Sequence, residues 1–275
     1  MTVAPPSAAT ASAPADLSRQ VAVTVAFVAC VVANLVGSGA IGGREVDTAN
    51  NAAFADDSTL LTPAGPAFSI WSLVYLGQAA YVLLQWRRTA RTDPRHRAIG
   101  WLVVAASVLN ATWLWVTFDG LLWTSVVVIV VLLAVLCEIL RRLGEHPPPD
   151  RVEAVVTDGT FGLYAGWVSL ASVANVAATA AADGATATGV TAARIALVVL
   201  VAIAVVTALA ALAWGRVAVA LAQAWGLGWV AYGRFFGEPD AWSVGVVAVL
   251  AALTPLVAVA VARRRSRHHQ ERMTP

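Results

Sequence analysis

The sequence is poor in charge. Asp, Glu, Lys and Arg make up 12% of its 275 residues, whereas an average soluble domain contains about 25%. Lysine is absent, and hydrophobic residues account for 59% of the chain. This composition excludes an ordinary soluble domain and indicates a membrane protein. Because the formal net charge is only +2, binding to nucleic acid has little support.

Candidates for metal ligation and catalysis are also scarce. Cys30 and Cys137 fall in apolar segments without ligand-like spacing, so we interpret them as small buried hydrophobic residues and not as a disulfide or metal site. We interpret Glu138 and Asp158 as interfacial charges that reach water or the nearby Arg141 and Arg151. The histidines fall in segments predicted to be cytoplasmic loops or tail, namely His96, His146, His268 and His269. The sequence therefore predicts no catalytic residue, no metal site and no required cofactor, and it favours a non-enzyme.

Apolar segments long enough to cross a membrane dominate the rest of the chain. A membrane-spanning helix needs roughly 20 mainly apolar residues. On that measure the sequence predicts eight spans, at residues 20–41, 66–86, 98–117, 121–140, 157–181, 192–213, 217–233 and 241–262. The seventh is short and contains Gln223. The predicted fold class is all-α, a polytopic membrane helix bundle, preceded by a disordered tail at residues 1–18.

Arginine placement predicts the topology. Arginines flank membrane spans mainly on the cytoplasmic side. Here they follow the second, fourth, sixth and eighth segments, and the last group begins a basic tail at residues 263–275. We therefore expect a multi-pass protein of a bacterial plasma membrane with both termini in the cytoplasm. This arrangement requires an even number of spans.

The third segment carries a primary amide at membrane depth. Asn110, Trp113 and Thr117 have the spacing i, i+3 and i+7, which places them on one helix face, whereas Trp115 points elsewhere. A buried amide needs a partner because lipid supplies none. Two interpretations stay open: a hydrogen bond between helices, or a polar contact inside a ligand pocket.

Similar stripes occur in two other segments. In the second, Trp71 and Tyr75 are four residues apart and follow a stretch rich in proline and glycine. In the fifth, Trp167, Ala171 and Asn175 share one broad face, with small residues beside them that permit close helix packing. Aromatic and amide groups on three helices are therefore predicted to face the interior.

These motifs together resemble the TspO/MBR family of tryptophan-rich sensory proteins, which are five-helix membrane bundles. The matching residues are Pro63, Gly65, Phe68, Trp71 and Tyr75 at the second helix, Leu109, Asn110, Trp113, Phe118 and Gly120 at the third, and Trp167 and Asn175 at the fifth. The resemblance implies a family core at residues 19–182. Residues 183–262 then form three additional C-terminal transmembrane helices, for which the motifs suggest no role.

The resemblance also implies a function. Family members bind porphyrins and other flat, largely apolar ligands, so we expect a porphyrin or haem-like tetrapyrrole as ligand and a stress-sensing or regulatory role. The implied ligand-binding residues are Trp71, Tyr75, Asn110, Trp113, Trp167, Ala171 and Asn175, and those at the mouth of the pocket are Pro63, Gly65 and Phe68. Relatives are often homodimers within membrane lipid. Some have been linked to light-dependent porphyrin breakdown through a pocket tryptophan, here Trp71 or Trp167. The alternative is a small-molecule transporter that uses the same cavity.

Overall fold

The computed structural model describes residues 14–37, 55, 57–185 and 188–273, and all regular structure in these ranges is helical. Eight long helices are α1 (Pro14–Gly37), α2 (Ile70–Gln85), α3 (Pro94–Phe118), α4 (Leu122–Glu145), α5 (Arg151–Ala182), α6 (Gly189–Trp214), α7 (Val217–Phe236) and α8 (Trp242–Met273). A 3-10 turn at Gly65–Ser69 precedes α2, and a π-helical stretch at Ala154–Gly159 lies inside α5. The predicted all-α membrane bundle is confirmed.

Local sequence explains where the two central helices begin. Asp93 precedes α3, and its carboxylate accepts a hydrogen bond from the backbone N–H of Arg95 at 2.8 Å. Pro94 follows at the first helical position, where its missing N–H has no cost. Asp150 caps α5 in the same way, accepting from the N–H of Glu153 at 2.8 Å. Each cap satisfies backbone donors that the first helical turn leaves open.

Seven of these helices, rather than the predicted eight, are long and apolar enough to cross a membrane. The exception in the described part of the chain is α7, the helix of the weakest predicted span. It contains Gln223, Arg234 and several glycines. Both polar side chains are buried: Gln223 donates to Ser169 on α5, and Arg234 donates to the carbonyls of Thr59 and Glu238. A helix shielded from lipid by protein can carry polar groups that a lipid-facing helix cannot. The prediction that both termini are cytoplasmic requires α7 to cross, and it stays a prediction.

The first five helices form a ring. α1 packs against α2 and α3, α3 packs against α4, α4 packs against α5, and α5 returns to α2. Outside the ring, α7 packs on α5, α8 packs on α7, and α6 packs on α8. Gly162 and Gly166 permit the close contact of α5 with α7, because a Cβ added at Gly166 would lie 2.9 Å from the Cβ of Ala222. The ring positions the site described below.

Two predicted segment boundaries fall within helices. Residues 14–18, placed in the N-terminal tail by composition, form the first turns of α1, and residues 1–13 lie outside the described residues. Residues 263–273 of the predicted basic tail continue α8. Most of the connection between α1 and α2, residues 38–54 and 56, also lies outside the described residues.

Candidate functional site

The ring of five helices encloses a cavity of about 710 Å³. It lies in the half of the bundle that contains the C-terminal ends of α1, α3 and α5. All seven residues predicted to bind a ligand line it: Trp71, Tyr75, Asn110, Trp113, Trp167, Ala171 and Asn175. At its predicted mouth, Pro63 and Phe68 line the cavity, whereas Gly65 is not among the lining residues. The structure thus brings the predicted side chains together, and their role in binding stays a prediction.

Tryptophan and tyrosine rings form one wall of the cavity. The Trp71 ring stacks on Tyr75 with centroids 5.6 Å apart, and it meets Tyr164 and Trp167 edge to face at 5.6 and 6.4 Å. Phe68 in turn meets Trp167 edge to face at 5.6 Å. Edge-to-face packing holds each ring against its neighbour and leaves flat apolar surface for a ligand.

A polar cluster spans α1, α2 and α3. The Asn110 Oδ1 atom accepts hydrogen bonds from Asn34 Nδ2 at 3.2 Å, from the Tyr75 hydroxyl at 3.0 Å and from Cys30 Sγ at 3.3 Å. Asn34 Nδ2 also donates to the Cys30 carbonyl at 2.8 Å, and Asn34 Oδ1 lies 2.8 Å from the Tyr75 hydroxyl, whose single proton is therefore shared between the two asparagine oxygens. The hydrogen bond between helices is therefore confirmed for Asn110, which also lines the cavity, and its contact with a ligand stays a prediction.

Two members of this cluster were missed by the sequence interpretation. Asn34 lines the cavity, but it is an isolated amide on α1 with no aromatic stripe beside it. The signal that could have found it is its depth in an apolar helix, the same reason that singled out Asn110. Cys30 is buried as predicted and also donates to Asn110, whereas Cys137 is exposed rather than buried.

The predicted face of α3 is confirmed. Asn110, Trp113 and Thr117 all line the cavity, and Trp115 is 45% exposed on the outer side of the helix. This outcome follows from the 3.6-residue helical repeat.

A second amide lies on the opposite side of the cavity. Asn175 Oδ1 is 3.1 Å from Ser125 Oγ on α4 and 3.4 Å from Thr179 Oγ1. Asn175 is almost fully buried, and its Nδ2 atom has no hydrogen-bond partner among the described residues. The α4–α5 contact is therefore only half satisfied at this amide.

Ionisable residues meet instead at the other end of the ring. We call Arg95, His96, Glu153, Asp158 and Arg216 the ionic cluster. His96 Nε2 lies 2.9 Å from Glu153 Oε1, and Glu153 Oε2 lies 3.5 Å from Arg95 Nε. His96 is fully buried, which corrects the prediction that every histidine lies in a loop or tail. His96 lies in the first turn of α3, next to the arginine-rich loop, and for this reason the sequence analysis assigned it to that loop.

Asp158 bridges the two arginines of the ionic cluster. Its carboxylate accepts from Arg95 and pairs with Arg216 Nη1 at 3.3 Å. Its partners are therefore these two residues, contributed by α3 and by the segment before α7, which the sequence did not identify. Burial lowers the pKa of the Arg216 guanidinium, and the neighbouring Asp158 carboxylate opposes that shift. The cluster joins four helices and, among the described residues, contributes nothing to the cavity lining.

A family model described as TSPO-like protein matches residues 20–261, which is most of the chain. The chain belongs to the TSPO-like protein family. Searches of curated proteins and of solved structures gave no match. The family match continues past residue 182, where the motif resemblance ends, and includes the helices of the C-terminal segment.

Contacts from α7 link that C-terminal segment to the mouth of the TSPO-like cavity. The indole N–H of Trp225 donates to the carbonyl of Ala67 at 2.9 Å, and the backbone N–H of Ala64 donates to the carbonyl of Trp229 at 3.3 Å. The Ala67 carbonyl and the Ala64 N–H both lie in the segment that carries Pro63 and Phe68. Helix α7 therefore holds in place the turn that is predicted to form the mouth of the cavity.

We expect Trp225→Phe to weaken ligand binding by at most about fivefold, because one neutral hydrogen bond contributes about 1 kcal/mol. The phenyl ring preserves the packing of α7, so unfolding should change little. Trp214→Phe is the control, since Trp214 is an exposed indole at the end of α6. Equal dissociation constants for the two variants and the wild type, measured by fluorescence titration, would show that α7 does not support the mouth.

Proposed function

We propose that this TSPO-like membrane protein binds a flat, largely apolar ligand in the cavity of its five-helix ring and has a sensing or regulatory role. The supporting observation is the cavity itself, about 710 Å³ in volume and lined by three tryptophans and three asparagines. Small-molecule pockets typically measure about 300–1,000 Å³ and combine apolar walls with a few polar groups. The indole rings can stack on a flat ligand, and the amides can orient it through hydrogen bonds.

The packing beneath the cavity supports binding over transport. Side chains of the ring core, including Val103, Leu132, Leu136 and Phe161, are at most 2% exposed. Along α3, Val103 lies between the cavity residue Asn110 and the ionic cluster. A transported solute would have to separate this packed layer and then the ion pairs. Transport through the same cavity is therefore the second candidate, and a separate measurement tests it.

Titration with protoporphyrin tests the binding proposal through quenching of tryptophan fluorescence. We expect saturable quenching in the wild type and a dissociation constant about tenfold higher in Trp71→Ala, because the variant removes a stacked indole from the wall. Asn110→Ala should also weaken binding. Trp115→Ala is the matched control, since its indole lies on the outer face of α3. Weak, non-saturating quenching in all four proteins would reject a porphyrin-sized pocket.

A transport assay separates the two candidates. Uptake of labelled protoporphyrin into sealed vesicles should not exceed that of protein-free vesicles if the protein only binds it. Uptake that needs the protein and is lost in Trp71→Ala would replace the sensing proposal with transport.

A further inference from the structure

One end of the C-terminal segment is strongly cationic. We call it the basic end, and it consists of the connection between α6 and α7 and the last described side chains of α8, namely Trp214, Gly215, Arg216, Arg263, Arg264 and Arg265. Arg263 Nε lies 3.5 Å from the Gly215 carbonyl, which joins the two parts. The chain has no Asp or Glu at positions 241–270, and residues 263–275 contain five arginines and one glutamate. The basic end therefore carries an excess of positive charge.

Arginines of the ring at the same end are paired inside the protein. Arg142 lies 2.7 Å from a carboxylate oxygen of Glu138, and Arg216 belongs to the ionic cluster. Within the described ranges, in contrast, residues 263–265 are exposed arginines that form no ion pair with a carboxylate. Their charges can therefore attract an anion from outside the protein.

Trp214 places the basic end at the surface of the membrane. Its indole is 59% exposed, and the exposed Leu209 lies five residues earlier on α6. Tryptophan is enriched where the hydrocarbon of a bilayer meets the lipid headgroups. Because Arg263 contacts the residue next to Trp214, its guanidinium lies at the depth of the headgroups. Lipid phosphates are the nearest anions at that depth, which favours a lipid over a soluble acidic partner.

A shallow crevice begins at the basic end. Helices α6 and α7 meet at their connection, but each packs more extensively on α8 than on the other. Between them lies a crevice with small or apolar walls and one arginine: Ala210, Ala211, Trp214, Arg216, Val219 and Ala220. Basic pockets between membrane helices are typical binding sites for anionic lipid headgroups. An acyl chain fits along the alanine side chains, with its headgroup at the arginine end.

We propose that the basic end binds an acidic phospholipid. The lipid phosphate lies against Arg263 and Arg264, and one acyl chain lies in the crevice between α6 and α7. This site shares no residue with the lining of the ring cavity, so it is independent of the proposed ligand. It gives the C-terminal segment a role in holding the protein to anionic membrane lipid.

Two lipids with the same acyl chains test the proposal. Dioleoyl phosphatidylglycerol has a net negative headgroup, whereas dioleoyl phosphatidylcholine has no net charge. Each is titrated into the full-length protein in detergent micelles, and native mass spectra give the fraction of protein that retains one lipid molecule. We expect tighter retention of phosphatidylglycerol by the wild type.

Replacement of Arg263 and Arg264 together by glutamine should weaken phosphatidylglycerol retention about 25-fold, because each arginine near an anionic headgroup contributes about fivefold. Phosphatidylcholine retention should be unchanged. Arg87→Gln combined with Arg88→Gln is the matched control, since these arginines are also adjacent, exposed and preceded by an exposed tryptophan, Trp86. We expect this control to match the wild type for both lipids.

A second pair of variants tests the crevice without changing charge. Ala210→Phe places a ring in the crevice and should reduce the retention of both lipids. Val205→Phe introduces the same ring on the opposite face of α6, where Val205 is 53% exposed, and should leave retention unchanged.

The outcomes decide between a site and a general surface charge. Equal losses of phosphatidylglycerol in the two arginine double variants would overturn the proposal, because the charges would then act without a specific site. Displacement of the lipid by excess inorganic phosphate, with no effect of Ala210→Phe, would show a site for free anions and would also overturn it. A loss confined to the variants of the basic end and the crevice supports the proposal.

Discussion

Replacement of Arg95 by leucine is expected to lower the free energy of unfolding by about 3–5 kcal/mol, because it breaks a buried ion pair by removing one partner. Arg95 is 2% exposed, and its guanidinium contacts Asp158, Glu153 and the carbonyl of Leu143. Without it, Asp158 retains Arg216 alone, and Glu153 retains His96 and Thr157. Glu153 then stays buried and Asp158 partly buried between α3, α4 and α5, and each carboxylate has one cationic partner fewer.

Thermal or denaturant unfolding in one detergent, followed by circular dichroism, measures this loss. Arg141→Leu is the matched control, because Arg141 also contacts two carboxylates, Glu138 and Glu145, but lies exposed on α4. We expect its unfolding curve to match the wild type, as is usual for exposed pairs. If Arg95→Leu also matches the wild type, the ionic cluster does not hold this end of the ring together.

The second large effect is expected from filling the cavity. Ala171→Trp projects an indole from α5 into the space that a ligand would occupy, since Ala171 lines the cavity. Displacement of a ligand from about 100 Å² of apolar wall, at about 25 cal/mol per Å², costs about 2.5 kcal/mol, or nearly a hundredfold in affinity. The empty space accepts the new ring, so the fold should be retained.

Val176→Trp provides the control for this substitution. Val176 lies five residues further along α5 and is 41% exposed, so its replacement adds the same indole outside the cavity. Protoporphyrin affinity should be unchanged in this variant and strongly reduced in Ala171→Trp, with similar unfolding temperatures for both. Unchanged affinity in Ala171→Trp would mean that the bound probe lies elsewhere on the protein.

Periodicity accounts for the part of the site that the sequence predicted. Residues three, four or seven positions apart share a helix face, so the helical repeat alone groups Asn110 with Trp113, Trp71 with Tyr75, and Trp167 with Ala171. This reasoning did not identify Asn34, because a single amide in an apolar helix forms no periodic pattern. Its contact with Asn110 joins positions 76 residues apart.

The ionic cluster shows the same limit for charged groups. His96 and Glu153 are 57 residues apart, and each stands beside a loop in the sequence. Hydropathy assigns such residues to the membrane surface, since it assesses each segment by itself. Packing of α4 against both α3 and α5 then brings them together and buries them. Helix α7 is too polar to be recognised as a membrane span for a related reason. Its polar residues Gln223 and Arg234 are buried inside the protein and are not in contact with lipid.

The sequence by itself determined the membrane as solvent, the helical fold class, the approximate positions of the helices and the inward faces of three of them, because these depend on composition and on contacts within one turn. Tertiary structure alone decided that five helices close into a ring, that Asn34 and Cys30 join Asn110, and that a histidine is paired with a glutamate inside the protein. Such contacts depend on which helices become neighbours, and that choice is made by packing between segments far apart in the chain.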